Sequence, residues 1–95
     1  MRHWNYRIVA TNHGRCSDWS FTIRDVYYKN NEPTSWGEGP QYPSGADTEN
    51  LASDLEAMKK AVYSPLLIVV GDKLVEFPKK DAILIKPEDL INYDH

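Results

Sequence analysis

His13 and Cys16 stand three positions apart in the segment NHGRC and form a His/Cys pair at ligand-like spacing. A zinc site takes three or four protein ligands, and the other histidines, His3 and His95, lie at the two ends of the sequence. The ligand count falls short, so no metal is expected. The same pair could in principle join a thiol nucleophile to its base. Catalytic Cys/His couples, however, are brought together by folding and carry a third group that orients the base. A pair inside one turn lacks that support, and a polar turn beside a half-buried thiol is the expected arrangement.

Carboxylates are the next candidates, for Mg²⁺ binding or acid/base work. Asp18 and Asp25 flank a strand-like segment, and Asp47 and Asp54 fall on a helix-like one. Their spacing does not bring them to one point. Asp47 and Glu49 suit a helix cap and the positive end of its dipole, while Asp54 and Glu56 lie off the apolar stripe. Gly37-Glu38-Gly39 lacks the further glycines and the Lys of a phosphate loop. No cofactor is expected, and the chain reads as a non-enzyme.

Aromatic residues are the remaining unusual feature. Eight of the eleven Phe, Trp and Tyr residues fall in residues 1–42, interleaved with Arg7, Arg24 and Lys29. Aromatic strands with basic neighbours stack and hold single-stranded nucleic acids. The competing expectation is that these rings pack on a helix that offers only Leu, Met, Val and Ala, and it is preferred because the second half of the chain is acidic and repels phosphate. In EPTSWGEGPQYPSG (32–45), Trp36 can plug a sheet–helix edge. Tyr42, between Gln41 and Pro43, is harder to bury. Tyr42, Trp36 and Tyr28 are the candidate partner contacts, since aromatics are enriched at interface hot spots.

The elements that must position these residues follow from periodicity. WNYRIVAT (4–11) alternates, with Trp4, Tyr6, Ile8 and Ala10 on one face, and DWSFTIRDVYY (18–28) places Trp19, Phe21 and Ile23 likewise. Beyond Arg24 the alternation blurs, which suggests a bulge or burial on both faces. Thr34-Ser35-Trp36 can begin a third strand. Asp47 or Thr48 can cap a helix over 48–63, whose Leu51, Leu55, Met58 and Val62 form one stripe, and Ser64-Pro65 ends it. LLIVV and KLVEF around Gly71-Asp72 predict a hairpin, AILI (82–85) a further strand, and Pro87–Ile91 one helical turn.

The order β-β-β-α-β-β predicts an α+β fold, an antiparallel sheet of three or more strands with one main helix on one face. Ninety-five residues make one domain, divided into an aromatic meander and loop (1–47), a helix (48–63) and a C-terminal hairpin with a short tail (66–95). Residues 1–42 hold five Lys/Arg and four Asp/Glu against six and ten in 43–95. The basic residues are scattered, which makes nucleic acid an improbable partner. The lone Cys16 excludes an intrachain disulfide and points to a reducing compartment. The start MRHWNYRIV lacks a signal peptide's apolar region, and Pro65–Val70 is too short to span a bilayer. A cytoplasmic location is expected, with no membrane partner, and a homodimer is one way for so small a chain to bury more surface.

Two resemblances add to this reading. The segments WNYRIV, VYY, PTSWGEGPQ and the helix that follows are similar to a small set of uncharacterised bacterial proteins with the pattern WNYR–strand–VYY–turn–PxSW, over about the first two-thirds of the chain. The tail LLIVVGDKLVEFPKKDAILIKPEDL does not match. GADTENLASDLEAMKKAV after two strands and a loop also resembles the HicB-like fold. The matching positions are Tyr6–Ala10, Phe21–Ile23, Gly45, Thr48, Leu51, Ala52, Leu55, Met58 and Val62. That resemblance implies a strand-pair-and-helix fold and an antitoxin-like or inhibitor-like interaction role. The DNA-binding module usual in HicB antitoxins has no room in the residues after Pro65. The expected function is therefore protein–protein interaction, and the alternative is single-stranded nucleic-acid binding by the aromatic strand face.

Overall fold

A computed structural model describes residues 3–14 and 18–93, without the side chains of residues 78, 79, 91 and 92. Cys16 lies outside the described residues, and with it the His13–Cys16 pair. The elements are β1 (His3–Asn12), β2 (Trp19–Lys29), β3 (Glu32–Trp36), helix α1 (Thr48–Ala61), β4 (Pro65–Val70) and β5 (Lys73–Asp81), followed by 3-10 turns over Ala82–Leu84 and Pro87–Tyr93.

The class is α+β: the described residues form one α-helix and a five-stranded sheet in the order β3-β2-β1-β4-β5. The sheet is mixed, which corrects the expectation of a purely antiparallel one. β1 pairs antiparallel with β2 throughout, from His3↔Tyr28 to Asn12↔Trp19, but runs parallel to β4 through Val9↔Leu67 and Ala10↔Ile68. The reason is topological: α1 carries the chain back across the sheet, and β4 therefore enters beside β1 in the same direction. These two central strands are apolar on both faces, as that position requires. Val9, Ala10, Leu66, Leu67 and Ile68 are all fully buried.

Strand turns follow local chemistry. Asn30 and Asn31 both adopt positive φ (54° and 65°), the conformation of a tight two-residue hairpin turn that Asn tolerates better than most residues. β2 carries the expected irregularity, a register shift against β3 between Tyr27 and Tyr28. The β4–β5 hairpin turns at Gly71-Asp72 as expected, with Gly71 at φ +64°. AILI is not a strand. Ala82 N–H bonds to the Ser64 carbonyl and Ile83 N–H to that of Val62, so the backbone leaves the ladder and docks on the end of α1.

The two faces of the sheet build two clusters. On one, Ile8, Ala10, Leu66 and Ile68 pack with Ala61 of α1 and with Ala82, Ile85 and Leu90 of the tail, and Tyr6, Trp19, Phe21 and Ile23 border them. The strand-face rings are thus largely packing residues. On the other, Val9, Val26, Tyr28 and Leu67 pack with Trp36, Val69 and Leu74. The sheet curls about this second cluster, bringing the outer strands β3 and β5 into contact.

α1 begins at Asp47, whose Oδ1 accepts from Asn50 N–H at 2.8 Å. Its seating differs from the expected stripe: Met58 and Ala61 are buried, Leu51 and Val62 half-buried, and Leu55 is 50% exposed. The small Ala61 side chain faces the first cluster, so the helix contacts the sheet along its Met58–Ala61 edge and Leu55 turns outward.

Candidate partner-contact surface

The Gly/Pro-rich segment between β3 and α1 is irregular but tied down along its length. Gly37 N–H donates to the Asp25 carbonyl at 2.9 Å and Gln41 N–H to that of Ile23 at 2.8 Å, which prolongs the hydrogen bonding along β2 beyond β3. Ser44 N–H donates to Asp54 Oδ2 at 2.9 Å. Two glycines permit this docking. A methyl group on Gly37 would overlap Asp25 Oδ1, and one on Gly45 would come within 2.7 Å of the Asn50 carbonyl carbon at the start of α1.

Tyr42 lies between the Gln41 and Ser44 anchors and is 76% exposed. An aromatic ring is therefore presented to solvent from an anchored backbone. The other two candidate contacts lie elsewhere. Trp36 is half-buried against the second cluster, and Tyr28 is buried there. Tyr28 OH donates to Asn5 Oδ1, accepts from Arg7 Nη1 at 2.8 Å, and its ring stacks on His3 at 4.7 Å between centroids. Tyr28 therefore offers no ring surface, because it shares the inward face of β2 with Val26. The three candidates do not form one patch.

Asp54 is the node of the surface. Besides Ser44 N–H it accepts from Tyr6 OH at 2.7 Å, joining helix, loop and central strand. The Tyr6 hydrogen bond, helped by that of Ser44, holds the Asp54 carboxyl below its usual range. Hydrogen bonding to Asp54, partial desolvation and the nearby charges of Asp54 and Asp25 push the Tyr6 phenol up to about 12. Tyr27 OH in turn donates to Asp25 Oδ2, and that bond raises its pKa. Asp25 and Asp54, whose spacing gave no sign of convergence, thus flank Tyr6. They hold phenols in their protonated form, which suits a clasp and opposes base or nucleophile chemistry.

Trp4 extends the surface. Its ring meets Tyr6 edge-on (5.3 Å, 84°) and leans over Tyr27 at 6.5 Å, while remaining 53% exposed. Sequence alternation assigned Trp4 to the packed face, and its parity is right. At the start of β1, however, the helix facing it carries Ala57, and an open cleft of about 420 Å³ remains between them, lined by Trp4, Asn5, Tyr6, Ala57, Lys60 and Ser64. Trp4, Tyr6, Asp54, Ser44 and the loop to Tyr42 form one connected chain of contacts.

Among the described residues, no three His, Cys, Asp or Glu side chains are grouped to hold a metal ion, and no helix is long and apolar enough to cross a membrane. Comparison with known protein families, curated proteins and solved structures returns no match.

Proposed function

We propose that this chain is a non-enzymatic protein-interaction module, antitoxin-like or inhibitor-like in kind, that grips a protein partner through Tyr42. The observation that carries this reading is Tyr42 itself, 76% exposed on a loop fastened on both sides of the ring. An exposed aromatic on an ordered backbone loses little entropy when bound, which is the character of an interface anchor. The polar groups near it support the same reading, since Asp25, Asp54, Tyr6 and Tyr27 satisfy one another. The nucleic-acid alternative draws less support, because Trp19 and Phe21 pack against the core and leave little of the strand face to stack on.

A photoreactive amino acid placed at Pro43, with Tyr42 kept or changed to Ala, tests the reading in cells. The expected result is one predominant crosslinked protein, identified by mass spectrometry, that is lost in Tyr42→Ala while the melting temperature holds. Capture that is indifferent to Tyr42→Ala would remove the reading. A second copy of this chain can be the partner, and sedimentation over a concentration series recognises that case.

A further inference from the structure

The cleft beside Trp4 has a chemistry of its own, separate from the partner reading. One wall is an apolar corner made by the perpendicular Trp4 and Tyr6 rings, and Tyr6 is fixed in place by its hydrogen bond to Asp54. The facing wall is α1, where the small Ala57 leaves room and Lys60 supplies the one formal charge among the described lining residues. Lys60 has no carboxylate within ion-pair distance among the described residues. The Ser64 hydroxyl is already committed to the Lys60 carbonyl at 3.2 Å. No acidic residue among the described ones lines the cleft, and Asp54 is turned to Tyr6 and Ser44. Its volume falls in the range of small-ligand sites.

We propose that this cleft binds a small apolar carboxylate, with an aryl or branched-alkyl body against the Trp4–Tyr6 corner and its carboxylate toward Lys60. The selection has two parts. The ring corner takes flat or branched apolar groups by area and by edge-to-face contact. The unpaired ammonium then favours an anion over a neutral or cationic molecule of the same shape. A free small acid and the C-terminal residue of another chain share this chemistry.

Titration of the isotope-labelled protein with phenylacetate, phenylacetamide and benzylamine, followed by amide and indole N–H shifts, tests the assignment. Phenylacetate is expected to move the Trp4 indole N–H and the amides of Ala57, Lys60 and Ser64, with a Kd of about 1 mM for so small a ligand. Lys60→Gln, at an exposed position that should fold normally, is expected to weaken phenylacetate roughly fivefold and leave phenylacetamide unchanged. Trp4→Phe separates the indole signal from those of Trp19 and Trp36. A capped dipeptide ending in Phe with a free carboxylate distinguishes the sources: tighter binding than phenylacetate identifies a chain end, and weaker binding a free acid. Equal affinity for phenylacetate and benzylamine, an undiminished response in Lys60→Gln, or shifts confined to other regions would overturn the proposal.

Discussion

The Tyr6 hydroxyl and the Asp54 carboxylate, 48 positions apart, share a 2.7 Å hydrogen bond that fastens α1 to the central strand of the sheet. Its effect on the two groups fixes a pH dependence. Asp54 is held below its ordinary 3.8, so its stabilisation is present above that value and is lost as pH falls through the lowered one. Tyr6 is raised from 10.0 to about 12, so its part is present below pH 10 and is lost as pH rises through about 12. Asp54→Asn should flatten both limbs of the stability–pH curve and return the Tyr6 phenolate transition toward pH 10. Thermal melts across pH and phenolate absorbance read the two effects. Unchanged curves in the variant would mean that the bond does not couple to folding.

Gly37 gives a prediction about the loop. A Cβ there would strike the Asp25 carboxylate, which is held by Tyr27 OH and by Gln41 Nε2. Gly37→Ala should therefore cost about 1–3 kcal/mol by forcing a satisfied side chain out of place. Gly45→Ala should behave alike, since backbone of α1 stands in its way. Gly39 has open space around its Cβ direction, and Gly39→Ala should stay within about 0.5 kcal/mol of the parent. Urea unfolding of the three variants measures the contrast.

Locally coded features were legible in the sequence and non-local ones were not. The Asp47 cap, the Gly71-Asp72 turn and the extended state of 4–11 all depend on neighbours within a few residues, and the structure has each of them, although β1 is buried on both faces where alternation had implied one. The parallel β1–β4 pairing and the curl of the sheet depend on where α1 returns the chain, which no short window encodes. The helix stripe failed at Leu55 because the contact edge runs through Met58 and the small Ala61, which the stripe left out. The exposure of Tyr42 followed from its polar and Pro neighbours. The burial of Tyr28 hid where alternation blurred, at Val26-Tyr27-Tyr28. The Asp54 node was invisible because its partners, Tyr6 and Ser44, come from different elements.

Arg7 is buried at 7% exposure on the inward face of β1, opposite Arg24 of β2. Its Nη1 donates to Tyr28 OH and its Nη2 to the Pro65 carbonyl, with Glu76 Oε2 only at 3.8 Å. Hydrogen bonding therefore outweighs ion pairing here, and Glu76 is half exposed. Arg7→Ala should cost about 2–4 kcal/mol by leaving a void and two polar groups without their donor. Glu76→Gln should cost less than about 1 kcal/mol. Arg7→Met restores volume without a donor and should fall between the two, because it fills the void but leaves the same two groups unpaired. Chemical denaturation of this set decides whether the guanidinium acts by packing, by hydrogen bonding or by charge.

The three aromatic contact candidates should separate when stability and partner capture are measured together. Tyr42 is exposed, so Tyr42→Ala should change stability by no more than about 0.5 kcal/mol while abolishing crosslinking at Pro43. Trp36 packs on the second cluster, so Trp36→Ala should cost about 2 kcal/mol. Its effect on capture should be no larger than that loss of folded protein explains. Tyr28→Phe keeps the ring and its stacking on His3 but removes the hydroxyl between Arg7 and Asn5. It should cost about 1–2 kcal/mol and leave capture intact. A Tyr42→Ala variant that melts well below the parent would place Tyr42 among the packing residues and remove the observation that carries the interaction reading.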